Sequence, residues 1–347
     1  MNTNQDFLEK VTSLLEKARR TAKSAVDLTM VYAYFETGRL IFEEEQKGSL
    51  RAEYGKYVIP ELSKYLSLRL GKGYSVTNLK QMRKFYKIYS QDEIGQNLSD
   101  QLKMLPSSST GRKFPLGWSH YLKLMRIENT DERHFYEIEA YQNNWGLKEL
   151  ERQFNSSLYE RLALSRDKDG VMELAKKGQI VEKPSDAIKD PYVLEFLGLK
   201  EESRYAETDL ETRIIDHLQD FLMEMGKGFT FVGRQVRFTF DEDHFRVDLV
   251  LYNRLLRCFV VIDLKNGKLK HQDLGQMQMY VNYYDRYEKT ADENPTIGIL
   301  LCAEKNDSMV ELTLPDNANI YASEYKLYLP DKQLLQEKLR EWLDEES

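Results

Sequence analysis

Apolar residues recur at helical spacing through the first half of the chain, in Phe7, Val11, Leu14 and Leu15 and again in Val31, Tyr34, Phe35, Leu40 and Ile41. The pattern predicts helices from residue 5 to about residue 165, interrupted at Gly38, Gly48 and Gly55. Pro60 is placed in the first turn of a helix over 61–70. The triplet Gly71-Lys72-Gly73 then predicts a turn, and Ser75 an N-cap for a helix reaching about Tyr89. Polar residues 91–115 read as a mobile loop, after which helices are expected over 118–126, 130–143 and 147–164.

Beyond residue 204 the period shifts. A helix over 209–225 precedes runs of strand type at 229–232, 235–240, 245–252 and 258–265. A helix over 272–287 and an apolar strand over 296–302 follow, then a strand near 326–329 and a terminal helix over 332–342. Strand, helix and strand between Cys258 and Cys302 form a βαβ crossover, which requires two parallel neighbours. Hairpin-type strands before it make the sheet mixed. Residues 166–203, with Pro184, Pro191, Gly170, Gly178 and Gly198, read as a linker. The expected organisation is a multidomain α and α/β chain: an all-helical domain over 1–165, the linker over 166–203 and an α/β domain over 204–347.

Composition agrees with two globular domains, since 347 residues exceed one ordinary core and 41% hydrophobic with 31% charged residues is not a disordered mixture. No apolar run of about 18 residues offers a membrane span, and the polar start of the chain does not read as a secretory signal. Cys258 and Cys302 lie inside apolar strands, as reduced core thiols of a cytoplasmic protein do. The net charge of −7 is unevenly spread. Residues 1–170 hold 27 Lys+Arg against 23 Asp+Glu, and residues 51–90 hold nine basic residues against two Glu. Overall acidity therefore leaves room for a phosphate-binding face in the first half.

Charged residues inside apolar strands carry the chemistry, because such strands normally exclude them. Asp248 sits in the middle of Phe245–Leu251, and Asp263 and Lys265 end the run that begins at Phe259. A period of two points Asp263 and Lys265 to one face, and a hairpin turn at 253–256 brings Asp248 beside them. Neighbouring carboxylates repel unless a cation neutralises them, and an all-oxygen site selects Mg²⁺ or Mn²⁺. That arrangement suits metal-assisted phosphodiester hydrolysis, with Lys265 orienting water or offsetting charge. The bland alternative is a set of ion pairs, Asp263 with Lys265 and Asp248 with Arg246 or Arg257.

Val247-Asp248, fourteen intervening residues and Asp263-Leu264-Lys265 resemble the PD-(D/E)xK nuclease signature, with valine in place of proline. Gln276 and Tyr280 are similar to the QxxxY helix motif of its RecB-like members, and Glu211 to the glutamate that completes their metal site. Further matches at Phe231–Gln235, Asn266-Gly267-Lys268, Ile297–Cys302 and Glu324–Pro330 resemble the bacterial YhcG-type PDDEXK family. That family usually has Glu where this chain has Asp263. Gly38–Ile41, Tyr54-Gly55-Lys56, Gly71–Ser75 and Trp118–Tyr121 resemble the family's N-terminal domain of unknown function. The resemblance implies a restriction-endonuclease-like fold and a Mg²⁺- or Mn²⁺-dependent nuclease, most simply of DNA. Glu211, Asp248 and Asp263 would ligate metal, Lys265 would act on the water and Gln276 would assist.

In the first half, residues 59–89 have the layout of a helix-turn-helix, whose second helix offers Lys80, Arg83, Lys84 and Lys87 to nucleic acid, with Tyr280 of the second half as a further contact. Trp118, Tyr121, Tyr136, Tyr141 and Trp145 read as core or interface aromatics rather than base-stacking platforms. Two rival readings stand beside the nuclease: a nucleic-acid-binding protein with a nuclease fold and little turnover, in a restriction, repair or defence complex, and a helical interaction module. The expected partners are nucleic acid, most simply DNA, and a second copy of the chain or other DNA-processing proteins; the interaction module would dimerise or recruit a partner, with nuclease activity only in the assembly.

Overall fold

The computed structural model describes residues 27–46, 54–90, 114–164, 168–189, 191–199, 205–240, 242–315 and 318–345. The helical pattern before residue 27 and nearly all of the loop expected over 91–115 lie outside these. The chain divides into two compact units, Met1–Leu150 and Glu151–Ser347.

The first unit is helical where described. Its helices are 27–46, Tyr54–Leu70, Val76–Tyr89, Trp118–Leu124 and Thr130–Gln142. Aromatic rings fill its centre: Phe85 lies 4.9 Å from both Phe114 and Tyr121 and 5.6 Å from Phe35, in tilted and edge-on contacts that rings favour over face-to-face sandwiches. Gly38 is required there, since a Cβ would stand 2.1 Å from the Met82 carbonyl oxygen. Tyr121 and Tyr136 are fully buried, in keeping with a core role, whereas Tyr141 is exposed. The turn follows the expected chemistry, with Gly71 and Gly73 at φ of 83° and 125° and the Asn78 amide donating to Ser75 Oγ at 3.2 Å. The preceding helix begins earlier than expected and carries Pro60 in its interior, one turn or more beyond the position where the missing N–H costs nothing.

The second unit is built on a six-stranded sheet of order β1-β6-β5-β4-β3-β2. The strands are β1 Tyr192–Val193, β2 Phe229–Phe240, β3 Asp243–Asn253, β4 Cys258–Lys268, β5 Ile297–Glu304 and β6 Ile320–Lys326. The meander β2-β3-β4 is antiparallel, and β4, β5, β6 and β1 run parallel. The sheet is therefore mixed, and the expected crossover joins β4 to β5 through the helix His271–Tyr283. On one face, Leu249, Ile262, Leu264 and Leu301 pack under Leu210, Ile214 and Phe221 of the helices Glu207–Asp216 and Leu218–Met225. On the other, Val261 and Leu300 pack under Leu274, Met277 and Tyr280. Each such fully buried aliphatic side chain contributes roughly 1.5–3 kcal/mol. Gly298 admits that second helix, because a Cβ there would meet Met277 Sδ at 2.7 Å.

Several expectations are corrected. Residues 166–203 are not a free linker, because the helix Lys168–Lys177 and strand β1 belong to the α/β unit and β1 hydrogen-bonds to β6. A strand of two residues has no period to read. The strand expected near 326–329 lies earlier, where Ile320 pairs with Gly298. The helix expected over 209–225 starts at Glu207 and breaks at His217, which leaves helical φ/ψ before the chain resumes at Leu218.

Candidate active site

The β3–β4 hairpin places the acidic residues. Leu249 pairs with Ile262 at the end of the ladder between the two strands, so Asp248 and Asp263 are the next residues beyond it on either strand. Asp263 and Lys265 share a face, as the strand period requires, and Lys265 Nζ stands 2.7 Å from Asp263 Oδ2. Asp248 Oδ2 accepts a hydrogen bond from the Leu264 amide at 2.8 Å, which ties it across the hairpin. Glu211 comes from the opposite side, on the helix Glu207–Asp216, and is joined to Asp248 through one side chain. Gln235 Nε2 on β2 donates to Glu211 Oε2 at 2.7 Å and to Asp248 Oδ1 at 3.0 Å.

Charge is poorly compensated here. Asp263 is 3% exposed, and burial pushes its carboxyl up to about 7 even though Lys265 pulls it down, with Asp248 and Glu207 adding repulsion. Burial also raises Glu211, and the Asp248 charge adds to that against the Gln235 hydrogen bond and Arg234. Burial opposes the charge of Lys265, but Asp263, Glu207 and Asp273 outweigh it and raise its pKa. The buried Glu211 Oε1 accepts no hydrogen bond, and Arg234 Nε stands 3.4 Å from it. A hard divalent cation fits this chemistry: an all-oxygen donor set, an orphaned carboxylate oxygen and negative charge in excess.

The three residues expected as ligands come from three elements, Glu211 from the helix Glu207–Asp216, Asp248 from β3 and Asp263 from β4. Among the described residues, no group of three or more His, Cys, Asp and Glu is gathered closely enough to hold a metal. Each carboxylate has a donor of its own chain: Asp263 has Lys265, and Asp248 and Glu211 share Gln235. Gln276 lies one helical turn from Tyr280 and donates to its hydroxyl, which in turn donates to the Arg246 carbonyl at 2.8 Å. Tyr280, expected at nucleic acid, is 1% exposed with its hydroxyl spent on these bonds, so it acts as a core residue that ties the helix to β3.

In the first unit, Lys80, Lys84 and Lys87 are exposed on the helix Val76–Tyr89. Lys87 Nζ lies 5.2 Å from the Phe42 ring centroid. Arg83 is partly buried and paired with Glu45, which removes much of its value to a phosphate. Asn78, also on this helix, spends its side chain on Trp118 and the Gly73 carbonyl.

Three residues escaped the reading of the sequence. Glu207 stands one turn before Glu211 and acts through its charge on Asp263 and Lys265. Gln235 and Arg234 lie in Phe231–Gln235, a segment to which the family resemblance gives no role. The i, i+4 spacing of Glu207 and Glu211 was the available signal for the first.

No helix among the described residues is long and apolar enough to cross a membrane. Residues 185–340 match the YhcG PDDEXK nuclease domain, and residues 10–161 match the DUF1016 N-terminal domain. The chain is 41% identical over 351 residues to YhcG of Escherichia coli (strain K12), whose name provisionally assigns it as a nuclease; the match covers 96% of this chain and 93% of that one. Among solved structures, a repair endonuclease from Pyrococcus abyssi aligns at 18% identity over 38% of this chain and 50% of its own, with a TM-score of 0.25. A complex of EndoMS with double-stranded DNA aligns at 17% identity over the same shares, also at 0.25. The chain thus spans half of each of those proteins.

Proposed function

Because the chain belongs to the YhcG PDDEXK nuclease family, we propose that it hydrolyses phosphodiester bonds of DNA with the help of Mg²⁺ or Mn²⁺. The observation that carries this reading is the hairpin that sets Asp248 beside Asp263, with Lys265 Nζ 2.7 Å from Asp263. Asp248, Asp263 and Glu211 are the residues that would hold the ion. A divalent cation at such carboxylates lowers the pKa of water and stabilises charge on phosphate.

The chain's own groups do the rest. Lys265 keeps its proton beside Asp263, so it serves as a fixed positive charge and donor toward the attacking water or a phosphate oxygen. The helix His271–Tyr283 holds β3 through Tyr280, and Gln276 steadies that hydroxyl. Arg234, about half exposed beside Glu211, is placed to meet a phosphate at the rim. In the first unit, Lys80, Lys84 and Lys87 are a sequence-independent phosphate contact that would retain the substrate.

The test is cleavage of supercoiled, linear, branched and single-stranded DNA with Mg²⁺ or Mn²⁺, wild type beside Lys265→Ala. Cutting by the wild type alone supports the reading and begins to name the substrate. Binding of DNA without cutting of any substrate under either metal would overturn it in favour of a binding protein on a nuclease fold.

A further inference from the structure

Gln235 has two features that an ordinary strand residue lacks. Its φ is 47°, in the left-handed region that side chains other than glycine and asparagine rarely enter. The ladder between β2 and β3 accordingly skips it, passing from Arg234↔Leu249 to Val236↔Val247. Strain of this kind costs on the order of 1 kcal/mol or more and persists only where something is gained by it. The register is the same on either side, so Gln235 lies opposite Asp248, and its amide nitrogen lies between two acidic side chains from different elements. Nε2 carries two protons, and one is directed to Glu211 Oε2 at 2.7 Å and the other to Asp248 Oδ1 at 3.0 Å.

A single donor is bound to both carboxylates, at two of the oxygens a shared cation would use. A divalent ion of this type lies about 2.0–2.1 Å from each oxygen that ligates it. An ion ligated through Glu211 Oε2 and Asp248 Oδ1 would compete with Nε2 for those same two oxygens. The amide also offsets part of the repulsion between the carboxylates, which a neutral aliphatic side chain would not do.

Resting on the metal-dependent reading above, we propose that Gln235 is a placeholder: it bridges Glu211 and Asp248 in the metal-free protein and is displaced when a divalent cation binds. Gln235 is in this sense a positioning residue. It keeps the two carboxylates facing one another before the ion arrives, and its two charge-assisted hydrogen bonds are given up on binding. Metal affinity is lower by that loss, and the metal-free protein is more stable by the same interaction, as linkage requires.

The test is Mn²⁺ binding to the full chain without nucleic acid, followed by calorimetry and by loss of the free-ion paramagnetic signal, together with melting curves with and without the ion. Gln235→Ala keeps the backbone strain and removes the bridge, and Gln235→Gly suits the positive φ if the first variant folds poorly. Both are expected to bind Mn²⁺ about tenfold more tightly than wild type, and Gln235→Ala, which keeps the strain, is expected to melt lower without metal. A residue with a merely structural role would lower the melting point without tightening the metal. Mn²⁺ affinity that is unchanged or weaker in both variants would overturn the placeholder while leaving the metal site standing. Should wild type show no Mn²⁺ binding that Asp248→Ala abolishes, the metal-dependent reading itself fails, and the placeholder with it.

Discussion

Two buried acidic clusters in the α/β unit differ in how their charge is met. Glu224, on the helix Leu218–Met225, is fully buried, yet every oxygen has a donor. Its Oε1 accepts from Arg161 at 2.6 Å and from the Val193 amide at 3.0 Å, and its Oε2 accepts from Arg152 at 3.3 Å. Lys189 donates to the Glu224 carbonyl as well. Burial alone would raise this carboxyl, but Arg161, with Lys189 and Arg152, overrides it and holds the group at about 2. Asp263 is almost as deeply buried and has only Lys265 at 2.7 Å, with Asp248 and Glu207 repelling it, and it rises to about 7. Burial is common to both. The difference is the sign of the local balance, and it separates an acid whose charge is matched by cationic donors from one left among like charges.

The largest expected effect is on catalysis. Lys265→Ala or Asp263→Ala should reduce cleavage by about three orders of magnitude, as loss of a charge partner in the transition state does, with an unchanged circular dichroism spectrum. Substantial cutting by either variant would remove the contrast with Glu224. The reciprocal change, Glu224→Ala, leaves buried arginine without its partner and should cost about 3–5 kcal/mol in urea unfolding. A loss below about 1 kcal/mol would show that the cluster does not brace the fold.

The pH dependences should run in opposite directions. Glu224 has a folded pKa below its ordinary value, so its contribution is fully present above about 4.5 and is lost as pH falls toward about 2. Asp263 has a folded pKa above its ordinary value, so the metal-free protein binds the proton more tightly than the unfolded chain and loses stability as pH rises from about 4 to about 7. Asp263→Asn should therefore raise metal-free stability at pH 8 and flatten that slope, as read from thermal melts in a chelating buffer. An equal slope in wild type and variant would contradict this. The smallest effect is in the first unit, where Lys80→Glu with Lys84→Glu should weaken DNA binding and lower the salt slope of log K by about one to two. Fluorescence anisotropy across a salt series checks it, and an unaltered slope would remove these lysines from the interface.

The elements around the site were legible because local physics specifies them. Alternating and continuous apolar runs marked β3, β4 and β5, and a turn between two of them was enough to bring Asp248 to Asp263. Asp263 and Lys265 stood out by being polar where Ile262 and Leu264 are fully buried. Tyr280 shows the opposite: a helical Tyr at the end of a QxxxY spacing reads as a contact residue, whereas packing leaves it 1% exposed. Arg83, expected at nucleic acid from its place on a basic helix, is paired with Glu45, 38 residues earlier in the chain.

By itself, the sequence determined the two kinds of unit, the mixed sheet, its crossover and the positions of Asp248, Asp263 and Lys265, because periodicity and turn chemistry act over a few residues. Tertiary structure alone decided that β1 belongs to the sheet, that Glu207 adds its charge to Asp263 and that Gln235 lies between Glu211 and Asp248. It also decided which buried acid is compensated. A carboxylate's charge balance is set by donors far away in the chain, Arg161 for Glu224 and Gln235 for Glu211, and only folding brings them within the few ångströms over which such interactions are strong.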